Sequence, residues 1–363
     1  MREATLITQP EALAAAVFRL QATDRLAIDT EFMRERTYFP QLCLVQVASA
    51  TDCILVDPLA GLDLAPLHAL LADPGKLKIL HAARQDLEVL FLAGGEVPGP
   101  VFDTQVAAAL LGFAPQVGYA ELVARQLGHS IDKGQTRTDW SRRPLTPEQL
   151  AYAADDVHHL LALHAELESA LAARGRADWA AEETAGYANT ALYRIEPADA
   201  WRRLKGLGRM AATDQAAARA LAEWRERRAI ESDKPRGWIL ADEAIYALAS
   251  QAPRSVADLD GIPSLPPGLI RKRGEELLHL LTRARESGSA GSVVEAPRRA
   301  TPEETARATR YMKIVRTEAE ALGIAPEVLA TRRDVEALAQ GGRDNALLRG
   351  WRRAVIGEKL LAT

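Results

Sequence analysis

Four short apolar runs lie in the first third of the chain, at 26–32 (LAIDTEF), 42–49 (LCLVQVAS), 53–59 (CILVDPL) and 77–82 (LKILHA), and nothing comparable follows residue 197. Runs of this length, rich in Val, Ile and Leu and bounded by turn residues, read as strands. A lone strand leaves its backbone donors and acceptors unmet, so these four must share a sheet. Between and after them the apolar spacing turns helical, at 9–21, 64–72, 84–93, 103–112, 119–127 and 147–173. The last of these opens with Thr146-Pro147-Glu148 as cap and first turn. The N-terminal part is therefore α/β, and the part beyond residue 197 is all-helical.

A chain of 363 residues with 48% hydrophobic and 26% charged side chains can bury more than one core. The segment 286–300, rich in Ser and Gly and poor in large apolar residues, reads as a flexible linker. We expect boundaries at 1–195, 196–285, the linker 286–300 and 301–363, the two helical pieces being a diverged pair. No stretch reaches the length of a membrane span and the N-terminus lacks a basic, then apolar, leader pattern, so a cytoplasmic protein with no membrane partner is expected. Cys43 and Cys53 sit inside strand runs without metal-ligand spacing, which excludes a disulfide framework or a thiolate zinc site and suits a reducing compartment. A monomer is expected.

The formal net charge is −4, which by itself argues against a polyanionic partner. The charge is unevenly spread. Residues 1–195 carry 16 basic and 25 acidic side chains, whereas 196–363 carry 29 and 24. An acidic α/β part is joined to a basic helical part, and each needs its own explanation.

In the first run the period of two puts Asp29 and Glu31 on one face and Ile28 and Thr30 on the other. Two carboxylates pointing the same way repel, and a cation between them or a proton on one relieves this. Asp86 falls in the first turns of the helix that follows LKIL. Tyr152 and Asp156 stand four apart on one face of a later helix, with Asp155 about 100° around from Asp156. Each element alone also fits a plainer role: a solvated strand end, a helix-start acid, a packing tyrosine, a solvated helix face.

Taken together and in order, Asp29-Thr-Glu31, His81-Ala-Ala-Arg-Gln-Asp86-Leu-Glu-Val-Leu and Tyr152-Ala-Ala-Asp-Asp156 resemble the three exonuclease motifs of the DEDD superfamily. The words Phe32-Met-Arg-Glu-Arg-Thr-Tyr-Phe-Pro and Lys133-Gly-Gln-Thr-Arg-Thr-Asp-Trp-Ser-Arg-Arg-Pro-Leu bring the resemblance to the ribonuclease D family. In the helical part Trp224-Arg-Glu-Arg-Arg, Lys234-Pro-Arg-Gly-Trp-Ile-Leu-Ala-Asp-Glu and Gly274-Glu-Glu-Leu-Leu resemble HRDC (helicase and RNase D C-terminal) modules. Position 151 is Ala and 152 is Tyr, as in the tyrosine branch; His158 and His159 lie downstream of the aspartate and do not fit the histidine branch.

The resemblance implies a ribonuclease H-like mixed sheet with flanking helices, followed by two all-α HRDC-like domains. It implies two divalent ions, Mg²⁺ or Mn²⁺. Asp29 would bridge them, Glu31 and Asp156 would complete one site, and Asp86 would hold the other largely through water. Tyr152 would orient the attacking water. In-line hydrolysis of a phosphodiester builds charge on the entering and leaving oxygens, and oxygen ligands suit the hard cations that stabilise both. The implied activity is a 3′→5′ exoribonuclease that releases nucleoside 5′-monophosphates from tRNA precursors and other structured RNA.

Substrate contacts are expected from Phe32 and Met33, which equally fit a packing role, and from Lys133, Arg137, Arg142 and Arg143 in the basic loop. In the helical part Arg225, Arg227, Arg228, Lys234, Arg236, Arg271, Lys272 and Arg273 would form an RNA-binding patch. Two other readings stay open: a DNA 3′→5′ exonuclease of the same superfamily, and a non-catalytic RNA-binding processing module. No GxxxxGK[ST] loop is present, so no P-loop motor is visible.

Overall fold

The computed structural model describes residues 4–131, 134–135, 138–194, 196–286, 293–295 and 298–363. They form two compact units: one of residues up to 33, 42–193 and 300–363, the other of 34–41 and 194–299. Among the described residues no helix is long and apolar enough to cross a membrane.

The first unit is organised by a six-stranded sheet. Its strands are β1 (Thr5–Ile7), β2 (Arg25–Met33), β3 (Gln41–Ala48), β4 (Cys53–Val56), β5 (Leu77–Leu80) and β6 (Val101–Asp103), in the order β1-β4-β3-β2-β5-β6. β3 and β4 run antiparallel, while β1 with β4, β2 with β5, and β5 with β6 run parallel. The sheet is mixed, as expected. The flanking helices are α1 (Pro10–Leu20), α2 (Ala65–Ala72), α3 (Arg84–Gly94), α4 (Thr104–Leu110), α5 (Tyr119–Leu127), α6 (Pro147–His158), α7 (Leu160–Ala173) and α8 (Ala177–Ala185).

Several elements differ from their sequence reading. β1 and β6 are three-residue edge strands, too short to show a period, and were not anticipated. The run 53–59 stops at Val56 because Asp57 accepts from Leu59 N (2.9 Å) and caps a 3₁₀ turn at Pro58. Strand 77–82 stops at Leu80; Ala82 takes a φ of 57°, and both Ala82 N and Ala83 N donate to the buried Asp103 carboxylate. The single helix expected over 147–173 is two, α6 and α7, meeting at His159, whose backbone N–H is taken by the Tyr119 hydroxyl (3.3 Å). α6 begins where expected, with a reciprocal Thr146–Gln149 capping box and Pro147 at its first position, an arrangement that contributes about 1 kcal/mol.

The second unit holds α9 (Ala212–Ser232), α10 (Arg236–Ile239), α11 (Asp242–Gln251), α12 (Val256–Leu259) and α13 (Pro267–Glu286). Its core gathers Leu221, Leu240, Ile245, Leu248, Leu259 and Leu277, all nearly or fully inaccessible. The expected linker 286–300 falls largely outside the described residues.

The last stretch contains α14 (Pro302–Leu322), α15 (Pro326–Leu329) and α16 (Arg332–Ala339). The sequence treats 301–363 as a module of its own; in space it belongs to the same compact unit as the sheet. Val315, Leu329, Val335 and Ile356 share one apolar core with Leu110, Leu122 and Leu163. Arg176 donates to Leu110 O (2.6 Å) and Leu322 O (2.5 Å), and Trp179 stacks on Trp351 at 4.4 Å. At Gly112 a side chain is impossible, since a Cβ would stand 2.4 Å from Gly323 O.

Candidate active site

β2 carries Asp29 and Glu31, α3 carries Asp86 in its first turn, and α6 carries Tyr152 and Asp156. The fold brings them to one place. One carboxylate oxygen each from Asp29, Glu31 and Asp156 lie within 4.8 Å of one another. Asp86 stands outside that trio but acts on it, raising the proton affinity of both Asp29 and Glu31.

Among the described residues, no cation is one of the groups that act most strongly on these carboxylates. Burial holds the Asp29 carboxyl well above the ordinary carboxylate range, and Asp86, Asp156 and Glu31 push it further. Burial, then Asp156 and Asp86, raise Glu31 to about 9. Asp86 is pushed up to about 7, chiefly by burial, against the opposing hydrogen bond from Thr30 Oγ1 (2.6 Å). Asp156 reaches about 7, again by burial first, with the Tyr152 hydroxyl donating to it and lowering it. Four like charges in a poorly solvated site are favourable only with protons or cations on them, and an all-oxygen donor set fits a hard divalent ion.

The remaining expected residues divide. Asp155 is not one of the trio, and its backbone carbonyl accepts from the Tyr119 hydroxyl (3.0 Å). His158 and His159 pack edge-on at 5.0 Å, with His129 stacked on His159 at 5.1 Å, outside the carboxylate group. Phe32 and Met33 are partly buried and pack against two different apolar clusters.

All five donors of Arg143 are engaged, with Asp57 (2.6 and 2.7 Å), Trp140 O, Arg142 O and Cys43 O, which pins the loop to the sheet. Arg142 stays exposed beside Asp139 (3.1 Å). Lys133 and Arg137 lie outside the described residues.

The helical patch also narrows. Arg225 is buried and bound to Leu240 O and Asp242 (2.9 and 2.5 Å), a structural role. Arg227 pairs with Glu223, Arg228 with Glu231 and Glu276, Arg236 with Glu226, and Arg273 with Glu276. Lys234, Arg271 and Lys272 are exposed.

Two supporting residues escaped the sequence reading. Thr30, assigned by alternation to the opposite face from Asp29, is the hydroxyl that holds Asp86. Tyr119 fixes the α6–α7 junction just beyond Asp156 by bonding Asp155 O and His159 N. Thr30 stood inside the Asp-Thr-Glu word, but nothing in the spacing pairs it with a residue 56 positions away.

Residues 4–172 match the 3′-5′ exonuclease family model and 214–281 the HRDC domain model. Ribonuclease D of Acidiphilium cryptum is 43% identical over 99% of this chain and 92% of its own length. The chain belongs to the ribonuclease D family. A second ribonuclease D, from Pseudomonas paraeruginosa, is 37% identical over 93% of this chain and 91% of its own. The crystal structure of Escherichia coli RNase D, described as an exoribonuclease involved in structured RNA processing, superposes with a TM-score of 0.89 at 33% identity, covering 99% of this chain and 98% of that one. The chain is thus a 3′→5′ exoribonuclease with an HRDC domain, of a family that implies dependence on divalent metal.

Proposed function

We propose that the enzyme trims the 3′ ends of tRNA precursors and other structured RNA, releasing nucleoside 5′-monophosphates. The reading rests on one observation: three carboxylates, from a strand and a helix 127 residues apart at their extremes, converge within 4.8 Å, where burial and mutual repulsion raise their proton affinity. Asp29, Glu31 and Asp156 would hold one divalent ion and Asp29 with Asp86 a second, Mg²⁺ or Mn²⁺. Such ions, when bound, supply charge stabilisation for the entering and leaving oxygens and make water easier to deprotonate.

The chain's own groups do the positioning. The Tyr152 hydroxyl gives its proton to Asp156 in a hydrogen bond, which leaves its oxygen lone pairs to accept from the attacking water and aim it at the phosphorus. The Thr30 hydroxyl donates to one Asp86 oxygen and orients that carboxylate. Phe32 and Met33, next along the strand, would flank the terminal bases, while Arg142 with Lys133 and Arg137 would meet phosphates. We assign 1–195 to the exonuclease domain, 196–285 to the first HRDC-like domain, 286–300 to a linker, and 301–363 to a diverged second HRDC-like domain whose helices share the apolar core of the exonuclease unit. Cys43 and Cys53, buried and not joined in a disulfide, suit a reducing cytoplasm, and we take the working form to be a monomer.

The test is incubation of the protein with 3′-extended tRNA, matched single-stranded RNA and matched DNA, with and without Mg²⁺, resolving products by length. Metal-dependent, stepwise shortening of the RNAs with mononucleotide release is expected. Faster shortening of DNA than RNA would replace this reading with the DNA exonuclease one.

A further inference from the structure

β2, the strand of Asp29 and Glu31, and β3 are neighbours in the sheet, and the chain between them runs from Arg34 to Pro40. A tight connection between neighbouring strands takes about two to five residues. This one is longer, and residues 34–41 are part of the second compact unit. We propose that the helical unit contains a socket for this loop, and that Tyr38 and Asp233 are positioning residues for the exonuclease reaction.

The socket has two halves, both on α9. Glu226 is wholly buried, and the Tyr38 hydroxyl donates a short hydrogen bond to its Oε1. Its nearest cations, Arg203 and Arg236, are 4.0 and 3.8 Å away, and its Oε2 has no hydrogen-bond partner. At the C-terminal cap of the same helix Asp233 adopts a φ of 45° and ψ of 51°, and its Oδ1 accepts from both Tyr38 N and Phe39 N at 3.0 Å. The Thr37 hydroxyl bonds Phe39 O (2.6 Å), and the Tyr38 and Phe39 rings meet edge-on at 4.9 Å, so the loop is ordered on itself as it enters.

Each half is unfavourable without the loop. A buried carboxylate that lacks a hydrogen-bond donor is costly even with guanidinium groups nearby. A carboxylate at a helix C-terminus opposes the helix dipole, and a left-handed backbone at a residue other than glycine adds strain. Tyr38 and the two loop amides supply the donors that both acids otherwise lack. A helical unit built only to bind nucleic acid has no need of either feature. Chain connectivity then carries the consequence: the loop held in the socket starts one residue after Met33 and three after Glu31, so its conformation sets how the catalytic strand ends.

The proposal deepens the exonuclease reading and rests on it. The experiment measures kcat and KM on a short single-stranded RNA with Mg²⁺, using the full chain. Tyr38→Phe combined with Asp233→Ala should lower kcat about five- to tenfold with KM within about twofold. Asp233→Asn keeps the acceptor and tolerates the left-handed conformation, and should stay within about twofold of wild type. Tyr38→Phe alone, which keeps the ring but removes the donor to Glu226, should lower kcat about two- to threefold with KM unchanged and lower the thermal midpoint, and decides the matter if the double variant does not fold. An unchanged kcat, a rise in KM instead, or equal losses in Asp233→Asn and Asp233→Ala would each overturn the proposal. Asp29→Asn run alongside separates the two readings: if it keeps turnover, the carboxylate site is wrong, whereas failure of the socket leaves that variant inactive.

Discussion

The helical unit and the carboxylate site of the sheet unit treat buried charge in opposite ways. In the helical unit buried ions are matched: Arg225 has Asp242, and Glu226 has Tyr38 with Arg203 and Arg236 nearby. In the carboxylate site Asp29, Glu31, Asp86 and Asp156 are gathered, and among the described residues no cation is one of the groups that act most strongly on them. Buried charge that is balanced from within is architecture, because folding alone stabilises it. Buried charge of one sign is uneconomic for folding and marks a place where something else must bind.

The sharpest way to break this contrast is to remove one like charge from the unmatched cluster. Asp29→Asn should lower kcat by roughly a thousandfold or more while the metal-free protein melts at the same temperature or higher, since repulsion is relieved. A lower melting temperature in EDTA would mean that the cluster is balanced by groups of the fold. Tyr152→Phe should lower kcat about 10- to 100-fold with KM within about threefold, because water positioning is lost and the carboxylates stay. If KM rises by the same factor, Tyr152 is a substrate contact.

On the helical side the double variant Arg271→Glu/Lys272→Glu should raise KM for structured RNA about three- to tenfold and flatten its salt dependence. Turnover of a short single strand should not change; if it does, the exposed cations serve the site itself.

The smallest effect is in pH. Folding raises the pKa of Asp86 and Asp156 to about 7 and of Glu31 to about 9, all above their unfolded values. Their stabilisation is present in full below about pH 4 and is lost as pH rises through 7 and 9. In EDTA the thermal midpoint should therefore fall by a few degrees between pH 5 and 9, and the gain on adding Mg²⁺ should grow over the same range as protons give way to metal. A gain that shrinks with rising pH would show that ion and proton do not compete for these carboxylates.

Much of the site was legible because its residues sit in words whose local geometry is simple. Alternation along LAIDTEF aligned Asp29 with Glu31, and helical spacing aligned Tyr152 with Asp156. The start of α6 was legible in Thr146-Pro147-Glu148, to which the structure adds the reciprocal bond from Gln149. The edge strands β1 and β6 were hidden by brevity, since three residues carry no period. Arg142 and Arg143 were indistinguishable as neighbours in a basic loop. Only the placement of Asp57 and the Cys43 carbonyl, 86 and 100 residues away, turns Arg143 into a structural pin and leaves Arg142 exposed.

By itself the sequence determined which side chains could do chemistry: four carboxylates and a phenol, each fixed to a strand face or helix turn by short-range periodicity. It also determined that sheet and helical regions are separate in composition. The tertiary structure alone decided what those regions became. The helices of 301–363 look independent in sequence, yet they complete a core with α4, α5 and α7, because an apolar face records that it must be covered and not by what. The loop after β2 joins two strands of the sheet in sequence and is nevertheless part of the helical unit. Pairings across such distances in sequence depend on packing and desolvation, which have no period along the chain and come into being only when the chain is folded.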